Sequence, residues 1–376
     1  MDNIGKCIYL NNFPFINTSG QLRFCCKNSQ PENEFEMNIK THTLKEMYAT
    51  FAPYRSLMAS GQELPGCNVC YDQEQVNQIS FRQRVGANIT NSEPNIINAL
   101  DLRVGNTCNL QCVMCSLTDS NSWYKIYPQY AKYVKKDSEK SIQKSMDNYN
   151  PKKLNWAEYE SSWENIFCSI TDKVEHAYIA GGEPFYIPNF QHYLQELMQR
   201  CPDAKVSINT NATRLLNDAY ISNLKKYSID TRISMDGIGE VDEYVRQGTN
   251  WQEKMEVIQQ YSSVFSKITF DITLSALNIL KLPDTINWIK QNYPDKHIFL
   301  RPVVNQEHLS IRMVPLKERL KVLEYLRSTP EQFSNKDQIE HILQLPEIVE
   351  TEVVQKLERT ITFFDMNSGL SYKNLV

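Results

Sequence analysis

The sequence has no apolar run approaching the roughly 20 residues a helix needs to cross a bilayer. Its first residues, Met-Asp-Asn-Ile-Gly-Lys, lack the apolar centre of a secretory leader. An excess of one charge is missing too: 40 Lys and Arg stand against 44 Asp and Glu, a net charge of −4. That balance gives no electrostatic case for nonspecific binding to nucleic acid or to anionic membranes. There is no internal repeat or low-complexity tract, and the 20 tyrosines are scattered along the chain. These absences predict a cytoplasmic protein, where thiols stay reduced. The ten cysteines therefore read as metal ligands rather than disulfides. With 376 residues, 41% of them hydrophobic, the chain can bury a full core and carry a smaller second domain.

Between residues 100 and 306, strand-like and helix-like patterns alternate. The candidate strands are 99–104, 176–180, 205–209, 231–235, 267–274 and 297–303. Helical spacing separates them, most clearly after Pro188, where Phe190, Tyr193, Leu194, Leu197 and Met198 share one face. Thinner stripes run through Leu216, Tyr220 and Leu224, through Trp251, Met255, Ile258 and Tyr261, and through Leu282, Ile286 and Ile289. Six β/α repeats predict a parallel sheet with right-handed crossovers, too few units for a closed eight-stranded barrel.

The first crossover, residues 116–175, is unusually long. It holds a lysine-rich helical stretch at 133–144 and a polar, aromatic segment at 148–163. The expectation is a solvated insertion covering one edge, with a lid over substrate as the alternative. Residues 1–95 differ in pattern. Residues 15–24 read as two strands around a Ser19-Gly20 turn. Leu44, Met47, Tyr48 and Phe51 then share a helical face, and a further helix starts near Pro53 and ends near Gly61. Beyond residue 310 the pattern is helical, first through Leu316, Leu320, Leu323 and Leu326, then at 335–345 and 352–364.

The sharpest motif is Cys108-Asn-Leu-Gln-Cys112-Val-Met-Cys115, a C-x3-C-x2-C triplet just after the first of the six strands. Three thiolates on one loop can hold three irons of a 4Fe–4S cube and leave the fourth open. Structural clusters are normally closed by four cysteines, and the next cysteine here is Cys168. An open position is what a catalytic metal keeps for a substrate or cofactor. A three-cysteine zinc site is the plainer alternative, though this spacing is unusual for zinc. The triplet resembles the signature of the radical S-adenosylmethionine (radical SAM) superfamily. The resemblance implies a partial (β/α)6 barrel whose open iron chelates the amino and carboxylate groups of the SAM methionine.

Five cysteines precede the triplet: Cys7, Cys25, Cys26, Cys67 and Cys70. A lone C-x2-C pair such as Cys67–Cys70 is weak evidence, shared by zinc ribbons and redox dithiols. The combination of hairpin, helix, Gly66-Cys-x-x-Cys-Tyr71 and Ser80-Phe-Arg-Gln-Arg84 resembles the twitch domain, a short relative of the SPASM domain. That resemblance implies an auxiliary 4Fe–4S cluster on Cys7, Cys25, Cys67 and Cys70, with Cys26 packed inside or substituting. Adjacent strand residues face opposite sides, so Cys25 and Cys26 are not expected to serve one cluster together. A four-cysteine zinc site is the alternative. In better-described enzymes the module follows the barrel, whereas here it comes first. Cys168 and Cys201 fall within predicted helices and are expected to be small core residues.

Supporting motifs close the strands. Ile179-Ala-Gly-Gly-Glu-Pro184 resembles the superfamily's G-G-E motif, which implies that Gly181, Gly182 and Glu183 hold the methionine amino group. An ordinary strand-to-helix turn is the alternative. Asn209-Thr210-Asn211 ends the third strand and Ser234-Met-Asp-Gly237 the fourth, where polar groups of barrel-like folds face the active site, with Asn209 and Thr210 as cofactor-binding candidates. By the resemblance, Ser234 touches the ribose, Asp236 points towards cofactor or substrate, and Ser275-Ala-Leu-Asn278 serves the adenine or ribose side. Arg246, in Tyr244-Val-Arg-Gln-Gly248, resembles the arginine after this strand in related enzymes, which implies that it pairs with the methionine carboxylate; an exposed structural salt bridge is the alternative. Asp271 and Arg301, charged residues inside strand-like runs, are candidates to pair with each other.

The resulting expectation is an α/β chain of three parts: a twitch-like α+β module at 1–95, a radical SAM partial barrel at 96–310, and a helical extension at 311–376. The activity implied is reductive cleavage of SAM to a 5′-deoxyadenosyl radical that takes hydrogen from a substrate, oxidising or cross-linking a peptide or protein side chain. An external electron donor such as flavodoxin or ferredoxin is implied. Alternatives are dehydrogenation or epimerisation of a sugar-like molecule, and a non-catalytic zinc-stabilised binding protein on a degenerate barrel.

Overall fold

A computed structural model describes residues 7–29, 37–75, 79–86, 96–303, 306–329 and 335–375. The chain divides into two compact units. The first comprises residues 1–107, 151–208 and 218–229, and the second 108–150, 209–217 and 230–376.

In the first unit, β1 (Phe15–Ile16) and β2 (Leu22–Arg23) form the expected antiparallel hairpin. Gly20 takes φ +85° in its turn, where an added Cβ would lie 2.7 Å from Asn38 Oδ1. Strand β1 also pairs in parallel with β3 (Ala99–Arg103), so the hairpin extends the parallel sheet. Strand β3 pairs with β4 (His176–Ala180), and β4 with β5 (Lys205–Thr210), both in parallel. The expected boundary at residue 95 lies outside the described residues. Ala99, Leu100 and Leu102 of β3 are wholly buried. Between them Asp101 is buried as well, its charge met by Arg103 at 3.1 Å and by the Tyr9 hydroxyl at 3.3 Å.

The expectation of a solvated insertion is corrected in this unit. Trp156 and Trp163 are almost completely buried. The Trp156 indole N–H donates to the carbonyls of Arg103 (2.7 Å) and Asn17 (3.0 Å), and Trp163 stacks on Tyr193 at 5.0 Å. Large aromatic area and a satisfied indole outweigh the polarity of the neighbouring residues. The helix after Pro188 forms as expected, over Phe190–Arg200. Cys201 is buried just past its end. Cys168, expected inside, is exposed just past the helix Glu160–Phe167, a second correction.

In the second unit, β6 (Ile229–Ser234) enters from residue 230 onward. It pairs in parallel with β7 (Lys267–Leu274), and β7 with β8 (His297–Pro302). Asp271 does pair with Arg301, at 2.9 Å, and also with Arg232 at 3.2 Å. A core of Val113, Trp123, Tyr130, Val245, Phe363 and Phe364 ties the cysteine loop, the crossover and the last long helix together. The single helix expected at 133–144 is instead two elements. A wide turn, Ala131–Lys135, stops at Lys136 (φ +59°), and Glu139–Asn148 begins afresh under the Ser138 cap. A serine that accepts a hydrogen bond from Ser141 N starts a helix more readily than it continues one. Helices Leu316–Ser328, Lys336–Gln344 and Thr351–Ser368 complete the unit. Arg319, wholly buried, joins the first two by donating to the carbonyls of Leu343 (2.6 Å) and Leu345 (2.8 Å). Among the described residues no helix is long and apolar enough to cross a membrane.

Candidate active site

The loop carrying Cys108, Cys112 and Cys115 has little regular structure of its own, so its backbone groups are satisfied by neighbours. Cys108 N donates to Asn121 Oδ1 (3.0 Å), and Cys108 O accepts from the Ser122 hydroxyl (2.7 Å). The carbonyl of Cys112 accepts from the Trp123 indole at 3.0 Å. Across the loop, Gln111 N and Val113 N donate to the carbonyls of Gln247 and Val245, at 2.8 and 2.9 Å. Leu110 and Val113 are buried and anchor the loop by packing, while Cys108 and Cys115 keep partial exposure.

Two side-chain N–H donors meet the sulfurs. Arg246 Nη1 lies 3.5 Å from Cys112 Sγ, and Asn211 Nδ2 lies 3.7 Å from Cys108 Sγ. Cys112 is held below the ordinary thiol range, first by a hydrogen bond from Cys115 and then, against the cost of burial, by the Arg246 charge. Asp236 and Arg246 are brought together: Arg246 Nε stands 2.9 Å from Asp236 Oδ2. The pair is buried, not exposed as the salt-bridge alternative had it. Burial raises the Asp236 carboxyl, opposed by the Arg246 charge. Behind it, Asp236 N donates to Asp242 Oδ1 (2.7 Å), and Asp242 Oδ2 meets Lys254 Nζ at 2.6 Å. Nothing in the sequence pointed to Asp242 or Lys254, since Lys254 lies on a helix whose other charges are exposed.

The other polar candidates of this unit differ in their commitments. Asn278 donates to the carbonyls of Asp236 (2.9 Å) and Thr273 (2.8 Å), and its Oδ1 accepts from Ser275 N (2.8 Å), so its amide is used within the fold. Thr210 is buried, with its hydroxyl accepting from Ala212 N at 3.0 Å. Ser234 is half-buried at the end of β6, and its carbonyl accepts from Lys254 Nζ at 2.9 Å. Asn209 has a buried Oδ1 with no hydrogen-bond partner among the described residues. An orphaned buried acceptor of this kind suits a ligand donor.

The first unit holds two further candidates. After β4, Gly181 and Gly182 take φ +101° and +44°, and a Cβ on Gly181 would lie 2.9 Å from Gly105 O. Glu183 is wholly buried; its N–H donates to Thr107 O (2.7 Å), and its Oε1 accepts from Phe185 N (3.2 Å), capping the following turn. Asn155 Oδ1 fixes the same loop by accepting from Asn106 N (2.8 Å) and Thr107 N (3.2 Å). This contact from the long crossover carried no sequence signal.

The second candidate is a cavity lined by Cys7, Cys25, Cys67 and Cys70 together with Tyr9 and Arg82. Cys26 is exposed and is not part of the lining. Cys7 immediately precedes the short helix Ile8–Asn11, and Cys25 follows the hairpin. Cys67 and Cys70 bracket the first turn of helix Asn68–Gln75. N–H groups also reach sulfur here: Lys27 N lies 3.4 Å from Cys25 Sγ, and Asn28 Nδ2 lies 3.8 Å from Cys67 Sγ. Burial pushes Cys7 up to about 11 and Cys67 up to about 12. Arg82, ion-paired with Glu74, supplies a buried cation at the wall. No three His, Cys, Asp or Glu side chains among the described residues converge as a metal ion would need.

A model of the radical SAM superfamily matches residues 102–289, half of the chain. No curated protein matches the sequence. Among solved structures, native anSMEcpe with bound AdoMet and Cp18Cys peptide is 14% identical, with a TM-score of 0.39 over 61% of this chain and 58% of that one. Streptococcus suis SuiB is 15% identical, with a TM-score of 0.39 over 77% of this chain and 60% of that one. TYW1 with a lysine-pyruvate adduct bound is 15% identical, with a TM-score of 0.33 over 60% of this chain and 72% of that one. The chain thus spans less than two thirds of the length of the first of these proteins. The family match, covering the cysteine triplet and strands β4 to β7, is decisive: the chain belongs to the radical SAM superfamily.

Proposed function

We propose that the chain is a radical SAM enzyme that binds one 4Fe–4S cluster on Cys108, Cys112 and Cys115 and an auxiliary one on Cys7, Cys25, Cys67 and Cys70. When bound, the first cluster and SAM supply one-electron cleavage of the sulfonium and hydrogen abstraction from substrate. The residues do the rest. Gly181 and Gly182 bring backbone close to the methionine end, and Glu183 offers a buried carboxylate to its ammonium group. Asn209 and Ser234 offer acceptors to the nucleoside. Asn278 holds the backbone at Asp236 and Thr273 in place. Asp236 lies on the cofactor and substrate side, fixed there by Arg246.

In this reading residues 1–95 are a twitch-like module, 96–310 a partial barrel, and 311–376 a helical extension. The substrate is a peptide or protein side chain, oxidised or cross-linked with the auxiliary cluster as electron acceptor. Flavodoxin or ferredoxin supplies the reducing electron.

The observation that carries the proposal is the second cysteine set. Four thiols from three separate stretches of chain line one cavity, and the fifth, Cys26, lies outside it. The shared cavity and the N–H donors at two of the sulfurs, Cys25 and Cys67, support reading the four as one cluster's ligands. The test is anaerobic reconstitution followed by an iron count. Wild-type protein should hold about eight irons, and Cys67→Ala/Cys70→Ala about four. The double variant should still release 5′-deoxyadenosine but form no product on the true substrate. Circular dichroism checks that the module stays folded, because ligation and folding are coupled in small metal-bound modules. A double variant that keeps the full iron content contradicts the auxiliary assignment.

A further inference from the structure

We infer that Arg246 and Asn211 are positioning residues that set the reduction potential of the cluster at Cys108, Cys112 and Cys115. The inference rests on the proposed ligation by those cysteines and goes beyond it. Reduction adds negative charge to a cluster, and N–H donors to its sulfurs favour the reduced form, more strongly where water is excluded. Arg246 is 8% exposed and Asn211 5% exposed, and each places a side-chain nitrogen within 3.7 Å of a cysteine sulfur. A third donor, Leu110 N, lies 3.5 Å from Cys108 Sγ and belongs to the backbone.

Both side chains are held in place at some cost. Arg246 is fixed by Asp236, whose Oδ1 accepts from Thr273 N at 2.6 Å. Asp236 is backed in turn by Asp242 and Lys254, so two cations and two carboxylates lie buried in one row. Desolvating four charges brings little net stability over apolar packing, so the row is better explained by what its end does. That end is the guanidinium nitrogen at Cys112. Asn211 is set by Thr213, whose N–H (3.1 Å) and hydroxyl (2.7 Å) both donate to Asn211 Oδ1. Its own amide also donates to Asn109 Oδ1 at 2.9 Å. The turn requires Ala212 at φ +54°, a left-handed conformation that a residue with a Cβ adopts only under constraint.

The test is a redox titration of the reconstituted protein, following the reduced-cluster EPR signal that added SAM perturbs. The variants are Asn211→Leu, which keeps the shape and removes the donor, and Arg246→Lys, which keeps the charge but cannot reach both Asp236 and Cys112 with a planar fork. Each should make reduction about tenfold less favourable at unchanged iron content, a fall of about 59 mV for one electron. The pair combined should fall further. Unmoved potentials in variants that hold wild-type iron overturn the inference alone. A wild-type protein that assembles no cluster on the triplet overturns the ligation reading and this inference with it. Loss of the cluster from both variants also overturns it, since the two residues would then be holding the loop together rather than tuning what it binds.

Discussion

No side chain fits between Gly182 and Thr107: a Cβ on the glycine would overlap the Thr107 carbonyl, and the glycine holds φ at +44°. The next residue completes the contact, with Glu183 N donating to the same carbonyl at 2.7 Å. The turn after β4 is therefore fastened to the residue immediately before Cys108. Gly182→Ala should cost about 1–3 kcal/mol from strain and overlap. The measurement is the urea midpoint of the apo protein. An unchanged midpoint would mean that the turn opens freely.

Glu183 poses a cleaner question, because its Oε1 already caps a turn through Phe185 N. Glu183→Gln keeps a carbonyl oxygen for that cap and removes only the charge. A carboxylate that holds the methionine ammonium contributes about 1.5–3 kcal/mol through a charge-assisted hydrogen bond. SAM affinity should then fall by about 10- to 100-fold, with iron content and melting temperature unchanged. Wild-type affinity in this variant would leave Glu183 as a cap alone.

Acid should weaken the second unit through His308. This histidine is 4% exposed, and burial together with Lys356 and Arg359 lowers its pKa to about 4. The unfolded chain takes up the proton near pH 6.5, before the folded one does. Stability is therefore complete above about pH 6.5 and falls as the pH drops towards 4, by at most about 1.4 kcal/mol per pH unit. His308→Phe should flatten that slope in denaturant titrations across this window. An equal slope in the variant would assign the acid sensitivity to other groups.

Local patterns were legible in the sequence, and long-range ones were not. The candidate strands 176–180 and 267–274 coincide with β4 and β7 residue for residue, because alternation and helical spacing are properties of short stretches. The burial of Trp156 was hidden by polar neighbours, since it depends on two carbonyls far away in the chain. The break at Lys136 was hidden because propensity favoured one continuous helix, and the Ser138 cap decided otherwise. In the candidate site, the cysteine spacings could be read directly. The approach of Arg246 to Cys112 could not, the two being 134 positions apart, and neither could the row of Asp242 and Lys254 behind it.

The proposed chemistry centres on the cysteine triplet. Cys112 is buried, its carbonyl is held by Trp123, and its sulfur faces Arg246. No other cysteine lies within the next fifty residues after Cys115 to replace a lost ligand. The measurement is 5′-deoxyadenosine release from SAM by anaerobically reconstituted, dithionite-reduced protein, comparing wild type with Cys112→Ala. The wild type should release it, and Cys112→Ala should release none while keeping the iron of the N-terminal set. Release at the wild-type rate from Cys112→Ala would contradict the proposed radical SAM chemistry at this triplet.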